Sequence, residues 1–285
     1  MTLKLYGTPG DFLEENRGYL EANEAVTQLN RGNAQANATA DCHPGLLFGR
    51  YEQAGQVLLL FGHTAPWNLC LNAPPAAGEA AGMAAAALAG YLRERGEEIA
   101  GVTGGEHLCA PFIKAYGGSF RLQSAMDIMI LERLVEPPPV AGRVRKAVPA
   151  DTETIARWMC CFMAEALQEE CELAQRLETD GARIAEGKVW VMEDSSGQLV
   201  STARTSRETP SGVCVSAVYT PPEYRGQGYC QNTVAALCRA VLAGGRRFCS
   251  LFVNRQNPIS NRVYRKIGFT VWEDCSQYKL EDGCH

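Results

Sequence analysis

The stretch Val218-Tyr-Thr-Pro-Pro-Glu-Tyr-Arg-Gly-Gln-Gly-Tyr-Cys-Gln231 decides how the chain is read. Val213–Thr220 reads as a strand, and Pro221 and Pro222 then lack backbone donors, so the ladder stops on that edge. Gly226 and Gly228 let the backbone turn tightly and approach a ligand without Cβ interference. A helix reads from Cys230 to Ala243, with Val234, Leu237, Cys238, Val241 and Leu242 on one face. Its unpaired N–H groups and positive dipole end face whatever sits in the loop. That suits an anion, most simply a pair of phosphates, and Arg225 adds charge. The spacing fits neither G-x-x-x-x-G-K-[ST] nor G-x-G-x-x-G, which argues against a kinase or a dehydrogenase.

A second element follows, Asn254-Arg-Gln-Asn-Pro-Ile-Ser-Asn-Arg-Val-Tyr-Arg-Lys-Ile-Gly-Phe269. Asn257 suits an N-cap, and Pro258 suits the first helical position, where its missing N–H costs nothing. Ser260, Asn261 and Tyr264 fall along one helical face, Val263 and Ile267 take the core side, and Gly268 closes the helix. The polar stripe ending in a tyrosine reads as a ligand-facing surface. The alternative is a capped amphipathic helix whose tyrosine simply packs.

Around these elements, 285 residues suit two domains of roughly 140 each. An apolar share of 46 % with 21 % charged residues excludes disorder, collagen and coiled coil. No apolar run is long enough for a spanning helix, and the N-terminal residues lack a secretory apolar region. A net charge of −5 without a basic cluster argues against nucleic acid as a partner, and mildly favours a cationic one. The twelve cysteines show no CxxC and sit mostly in apolar stretches, the usage of a reduced, cytoplasmic protein. Cys42, His43, His63, Cys70, His107 and Cys109 are metal-capable types without zinc spacing, so no metal is expected.

Glu136-Pro-Pro-Pro-Val-Ala-Gly142 is the clearest linker signal and divides the chain into 1–135 and 143–285. The first half reads as a helical stretch from Asp11 to Asn30, strands at Leu46–Tyr51, Gln56–His63 and Trp67–Leu71, and a helix at Ala77–Arg95. A strand at Glu98–Val102, a helix at Glu106–Tyr116 and strand material from Ser119 to Glu132 follow. The second half reads as a strand at Val144–Val148, a helix N-capped by Asp151 and running to Leu167, and a helix at Glu172–Ala185. Strands at Lys188–Glu193, Leu199–Ser206 and Val213–Thr220 lead to the helix after the glycine loop. The chain then runs through a strand at Arg247–Val253, the helix at Pro258–Ile267, and strands at Phe269–Asp274 and Gln277–Leu280. The two halves share this order. They also share punctuation, since Pro74-Pro75 and Gly96 bracket one long helix as Pro221-Pro222 and Gly244 bracket the other. An internal duplication is expected, in an α/β (α+β) fold with mixed sheets.

Together the two elements resemble the GNAT superfamily of acyl-CoA-dependent N-acetyltransferases, in particular its bacterial two-domain branch. Arg225-Gly-Gln-Gly228-Tyr-Cys230 matches the family's pyrophosphate loop, R/Q-x-x-G-x-G/A, with Cys230 in place of the final Gly or Ala. The Asn257–Phe269 segment is similar to the family's last helix with its tyrosine. The resemblance implies acetyl-CoA as cosubstrate. The strand edge at Val218, Tyr219 and Thr220 would pair with the pantetheine amides, and the backbone of Arg225, Gly226, Gln227, Gly228, Tyr229 and Cys230 would cradle the pyrophosphate. Asn257 and Tyr264 would lie along the thiol end with Asn254 as a candidate neighbour, Ser260 and Asn261 would also bind the cofactor, and Tyr264 would return a proton to the departing thiolate. The acceptor would be a small-molecule or peptide amine, attacking the thioester directly in a monomeric or homodimeric enzyme.

No base is identified. The second half holds no histidine before His285, and Glu193, Glu208, Glu223 or water remain open. The first half has neither the arginine nor the Gly-x-Gly turn, and Ile113 stands where Tyr264 would, so it reads as a degenerate, non-catalytic copy. The competing reading is an acyl-CoA-binding sensor or partner protein that keeps the fold without turnover.

Overall fold

The computed structural model describes residues 1–167 and 170–281. His285 and its neighbours lie outside them. The chain forms two compact units. One comprises Met1–Ile128, Val253–Asn257 and the chain from Val271 on; the other comprises Met129–Phe252 and Pro258–Thr270.

In the first unit, β1 (Thr2–Leu5) precedes three short helices, α1 (Pro9–Glu15), α2 (Arg17–Ala22) and α3 (Glu24–Ala36). One helix was expected there. Asn16 and Asn23 break it, because each side-chain amide donates back to a backbone carbonyl, of Phe12 (2.8 Å) and Tyr19 (2.9 Å). Then come β2 (Leu46–Gln53), β3 (Gln56–Thr64), β4 (Leu69–Asn72), α4 (Glu79–Glu94), β5 (Gly101–Gly104), α5 (Glu106–Tyr116) and β6 (Ser119–Leu131). Alternation decides the two faces. Phe48 and Leu60 pack with Phe12 and Leu20 from α1 and α2, while Leu59 and Phe61 pack with Leu88, Leu92 and Phe112 from α4 and α5.

The second unit runs through β7 (Arg143–Lys146), α6 (Thr152–Phe162), a π-helical turn at Met163–Leu167, and α7 (Leu173–Ala185). It continues with β8 (Val189–Glu193), β9 (Leu199–Glu208), β10 (Gly212–Tyr219), α8 (Tyr229–Ala243), β11 (Phe248–Asn254) and α9 (Pro258–Lys266). The last strand, β12, is Thr270–Glu281, one continuous element where two were expected. Strands β7 to β10 are neighbours in sequence order and antiparallel, and β11 joins β10 in parallel. The first unit repeats this pattern, β1 to β4 antiparallel and β5 parallel to β4. Even the 3-10 turn after the double proline recurs, at Pro75–Ala77 and Pro222–Tyr224. The order expected of a duplication is therefore present in the backbone.

The cut at 136–142 separates the two series but not the two units. The reason is β12, whose Ser276–Lys279 pairs antiparallel with Gly101–Gly104 of β5. Its Asp274 accepts from the backbone N–H of Glu106 at the start of α5 (2.7 Å), and Tyr278 donates to the Glu106 carboxylate. The proline segment is likewise built into the second unit. Glu136 pairs with Arg239 of α8 (2.9 Å), and the Pro138 carbonyl accepts from Asn232 (3.1 Å). Three prolines fix an extended path here, which lies along α8.

In the second unit α6 and α7 cover one face, where Ile155, Met159 and Ile184 meet Val189, Val191 and Tyr219. Helix α8 packs across β7 to β10 outside that cluster, on the other face. Asp151 does not cap α6 as expected. Its carboxylate is buried and accepts from Arg145 (2.7 and 3.0 Å) and from the Val148 N–H (2.8 Å). Burial pushes the Asp151 carboxyl up, but the Arg145 guanidinium and the amide overcome it, and the net effect holds it below the usual carboxylate range.

A carboxyl depressed in the folded state contributes stability above its unfolded pKa, near about 3.9, and loses it as pH falls through the folded value. Asp151→Asn is therefore expected to cost about 2 kcal/mol at pH 7. The gap to wild type should narrow below about pH 4. Urea midpoints at pH 7 and pH 3 check both statements.

Candidate active site

Strand β10 pairs with β11 only from Gly212 to Cys214, so from Val215 on its edge toward β11 leaves that ladder. On its other side β10 carries a bulge between Ser216 and Tyr219, where Ala217 takes a positive φ of 49°. The strand thus delivers Val218, Tyr219 and Thr220 to the mouth of a gap between two parallel neighbours, and the double proline ends it there.

Gly226 (φ 79°) and Gly228 (φ 85°) then turn the chain in the left-handed region, and α8 starts on Gly228 with no side chain capping it. Among the described residues, the backbone N–H groups from Gly226 to Gln231 meet no acceptor, the first in-register bond being Asn232 N–H to Gly228 C=O at 3.1 Å. A Cβ at Gly226 would meet open space, whereas one at Gly228 would lie 3.0 Å from Val140 Cγ1. The Arg225 N–H is already used, donating to Pro222 C=O at 3.2 Å. The run of N–H groups without an acceptor therefore begins at Gly226 and does not include Arg225.

The Arg225 side chain does not point its charge freely at the turn. Its Nε donates to Thr220 C=O (2.9 Å), its Nη2 pairs with Glu165 (2.6 Å), and its guanidinium lies over the Tyr219 ring. Tyr219 in turn donates its hydroxyl to the other Glu165 oxygen at 2.7 Å. The Glu165–Arg225 pair is about half exposed, 43 % and 47 %. Arg225 and the Tyr219 hydroxyl together hold the Glu165 carboxyl below its usual range. Burial, and then the Glu165 charge, pushes the Tyr219 hydroxyl above the ordinary tyrosine value. Sequence reasoning missed Glu165. Its position on the π-helical turn after α6 carries no motif, and only the fold brings it to the β10 end.

Tyr264 is 8 % exposed, and Asn261 and Ile267 are buried beside it. Asn261 and Tyr264 of the polar stripe are thus buried, the Tyr264 ring packing edge-on against Phe269 (5.9 Å between centroids). The hydroxyl lies within electrostatic range of the Cys230 and Cys238 thiols of α8, and burial pushes it above its ordinary value. The Cys230 thiol hydrogen-bonds Thr220 and is pushed up to about 12 by burial. Ser260 is half-buried on the same helix. Asn254 and Asn257 fall in the stretch that groups with the first unit, where Asn254 Oδ1 accepts from the Gln256 N–H (2.8 Å).

Of the candidate bases, Glu193 is held by Arg143 (2.6 Å) and Arg145 (2.7 Å), and Glu208 by Arg246 (3.1 Å). Glu223 is exposed. Among the described residues, no group of three His, Cys, Asp or Glu side chains is placed to hold a metal ion, and no helix is long and apolar enough to cross a membrane.

A mixed sheet whose parallel strands part ahead of a glycine turn and a bare helix start offers a phosphate-bearing ligand a ready set of donors. Residues 152–269 match the acetyltransferase (GNAT) family, and this domain belongs to it. No curated protein matches the sequence. The chain is similar in structure to a GCN5-related N-acetyltransferase from Sphaerobacter thermophilus (TM-score 0.64, 15 % identity, 99 % of this chain and 96 % of that one). It is similar to a GNAT-family acetyltransferase from Colwellia psychrerythraea (0.60, 10 %, 99 % and 100 %). A tandem GNAT protein from the clavulanic acid biosynthesis pathway also matches end to end (0.57, 14 %, 99 % and 100 %). At these identities the likenesses establish the fold, over the whole chain.

The Glu165–Tyr219 contact has a direct spectroscopic consequence. Glu165→Gln removes the charge that raises the Tyr219 hydroxyl. In an alkaline absorbance titration, the step lost in Tyr219→Phe is expected to move toward the ordinary tyrosine value, near about 10. An unmoved step would contradict the contact.

Proposed function

We propose that the chain is an acyl-CoA-dependent N-acetyltransferase whose chemistry is confined to the second unit. The observation that carries this reading is the run of unanswered N–H groups from Gly226 to Gln231 on a left-handed, uncapped helix start. Two phosphates supply the acceptors those donors lack, and the helix dipole adds to the attraction. Cys230 does not obstruct them, since its thiol is engaged with Thr220.

Acetyl-CoA supplies an acetyl group already activated as a thioester. The β10 edge beyond Cys214, free of the β11 ladder, offers backbone groups to the pantetheine amides and aims the thioester into the gap between the two strands. Backbone donors at the Ser216–Tyr219 bulge then oppose the charge that develops on the carbonyl oxygen, usually the largest contribution to acyl transfer. Tyr264 gives a proton to the leaving sulfur. Its hydroxyl is protonated at neutral pH, as any tyrosine near about 10 is; burial raises it and weakens it as an acid, so the role rests on the motif and not on the shift. Glu193 and Glu208, both ion-paired, are poor bases, which leaves Glu223 or water to take the proton of the acceptor amine. At pH 7 about one in a thousand lysine-like amines is neutral.

Glu165 competes with the phosphates for Arg225. The pair anchors the turn when no ligand is bound, and the guanidinium can exchange one anion for another without leaving the loop. The first unit shares the uncapped glycine start, at Gly78 (φ 51°), but has neither the arginine nor the Gly-x-Gly turn. Its α4 starts on Gly78 with Glu79 in the first turn, a negative charge where a phosphate would sit. It is a non-catalytic copy.

Calorimetry with acetyl-CoA followed by a free-thiol assay across amines tests the reading. Binding with turnover is expected, and binding without turnover on a broad amine panel would instead favour an acyl-CoA sensor. Tyr264→Phe should leave acetyl-CoA affinity within a few-fold and lower turnover by roughly 10²–10⁴. Gly228→Asp should abolish binding, because it sets a carboxylate against the phosphates at a position where even a Cβ meets Val140. Unchanged turnover in Tyr264→Phe would remove the acid role from that residue.

A further inference from the structure

The face of the second unit covered by α6 and α7 carries an arginine cluster that the cofactor does not use. Arg176, Asp180 and Arg183 share one side of α7, at helical spacing of four and three. Below them, Arg204 on β9 stands directly opposite Ser216 on β10. Asp180 is 1 % exposed and pairs with both Arg176 (3.0 Å) and Arg204 (3.3 Å). Arg183 and Arg207 complete the set within electrostatic range of Arg204. Asp180 thus pairs with two of these guanidinium groups, while Arg207 is turned to the Cys214 thiol and the Phe252 ring.

Three donors in this cluster have nothing to donate to. Arg183 Nε, Arg204 Nε and Ser216 Oγ are buried and, among the described residues, meet no partner. A buried donor without an acceptor costs about 1–3 kcal/mol, and like charges brought together add to that. Burial, and then the charge of Arg183, lowers Arg204 to about 10, a direction an isolated surface arginine would not show. Asp180 cannot supply the missing acceptors, as its oxygens are already shared by two arginines. The cluster is a set of buried donors without acceptors among the described residues.

Its place bears on the reaction. Ser216 is the residue at which the β10 bulge begins, two positions past the last β10–β11 pair. We propose that this cluster binds an anionic group, a carboxylate or a phosphate, carried by the acceptor itself, so that the substrate is an amine that is also an acid. The inference rests on the acyl-transfer reading above and narrows its acceptor. Ser216 Oγ and the two Nε groups hold the anion, Asp180 orients Arg204 and Arg176, and the amine is left facing the gap where the thioester lies. The net charge of −5 mildly favours a cationic acceptor by long-range steering, while the buried donors of Arg183, Arg204 and Ser216 favour an anionic group at short range.

The test reads the proposed atoms directly. Arginine Nε–H resonances of the full chain are followed by ¹H–¹⁵N spectroscopy at fixed ionic strength, titrating sodium phosphate in one arm and β-alanine in the other. The Arg183 and Arg204 signals are expected to shift saturably with at least one of them, with a dissociation constant on the order of millimolar. The arm that saturates at lower concentration identifies the anion. Arg183→Gln should weaken that binding roughly tenfold or more, and Ser216→Ala, a change too small to threaten folding, by roughly threefold. No saturable shift of either signal in either arm overturns the proposal, as does an affinity unchanged in Ser216→Ala and Arg183→Gln. Acetyl-CoA calorimetry on the same sample keeps the two readings apart. Loss of anion binding with acetyl-CoA binding intact removes this inference alone, and loss of acetyl-CoA binding removes the transferase reading.

Discussion

A helix that begins on a left-handed glycine, with no side chain to cap it, leaves its first backbone donors unanswered, and the second unit is arranged around that fact. The double proline ends β10, Gly226 and Gly228 turn the chain, and α8 starts before any Ser, Thr, Asp or Asn can satisfy its N–H groups. An ordinary helix start would have a capping residue here. Its omission is stable only because water, or a ligand, takes the place of the cap. The surrounding contacts hold the turn open rather than closing it. Val140 and Pro138 brace it along α8, and Arg225 ties it to Thr220 and Glu165.

The first unit shows the same architecture with different residues at that start, for α4 also begins uncapped on a positive-φ glycine, Gly78 (φ 51°). Its order of strands and helices matches the second, down to the 3-10 turn after a double proline. Yet Glu79 sits in the first turn of α4, and no arginine precedes it. Its sheet also takes in β12 beside β5, with Asp274 answering the first N–H of α5. A carboxylate of the protein's own thus answers the start of α5, and Glu79 puts another in the first turn of α4, whereas the first turn of α8 holds no acidic residue. Similar chain order does not carry the chemistry; the residues at the helix starts do.

Much of this was legible in the sequence, for identifiable reasons. Glycines and prolines act on their own backbone, so the turn at 221–228 and the order of elements around it could be read locally. What depended on distant partners could not. Asp151 has the residue type and position of a cap, but Arg145 competes for its carboxylate and wins. Tyr264 reads as part of a polar stripe, but it is buried with its ring packed against Phe269. The proline segment reads as a linker, while Arg239 and Asn232 of α8 fix it in place. Glu165 and the cluster of Arg176, Arg183 and Arg204 follow no motif, because their meaning lies in register across strands and in which side of a helix faces the sheet.

The central claim is that the amides from Gly226 to Gln231 receive a diphosphate, and hydrogen exchange of those amides measures it most directly. On adding acetyl-CoA, they should slow markedly while the matching segment ahead of α4, residues 74–80, does not change. Exchange that stays the same at 226–231 while acetyl-CoA is bound would contradict the account, since the ligand would then rest elsewhere on the protein.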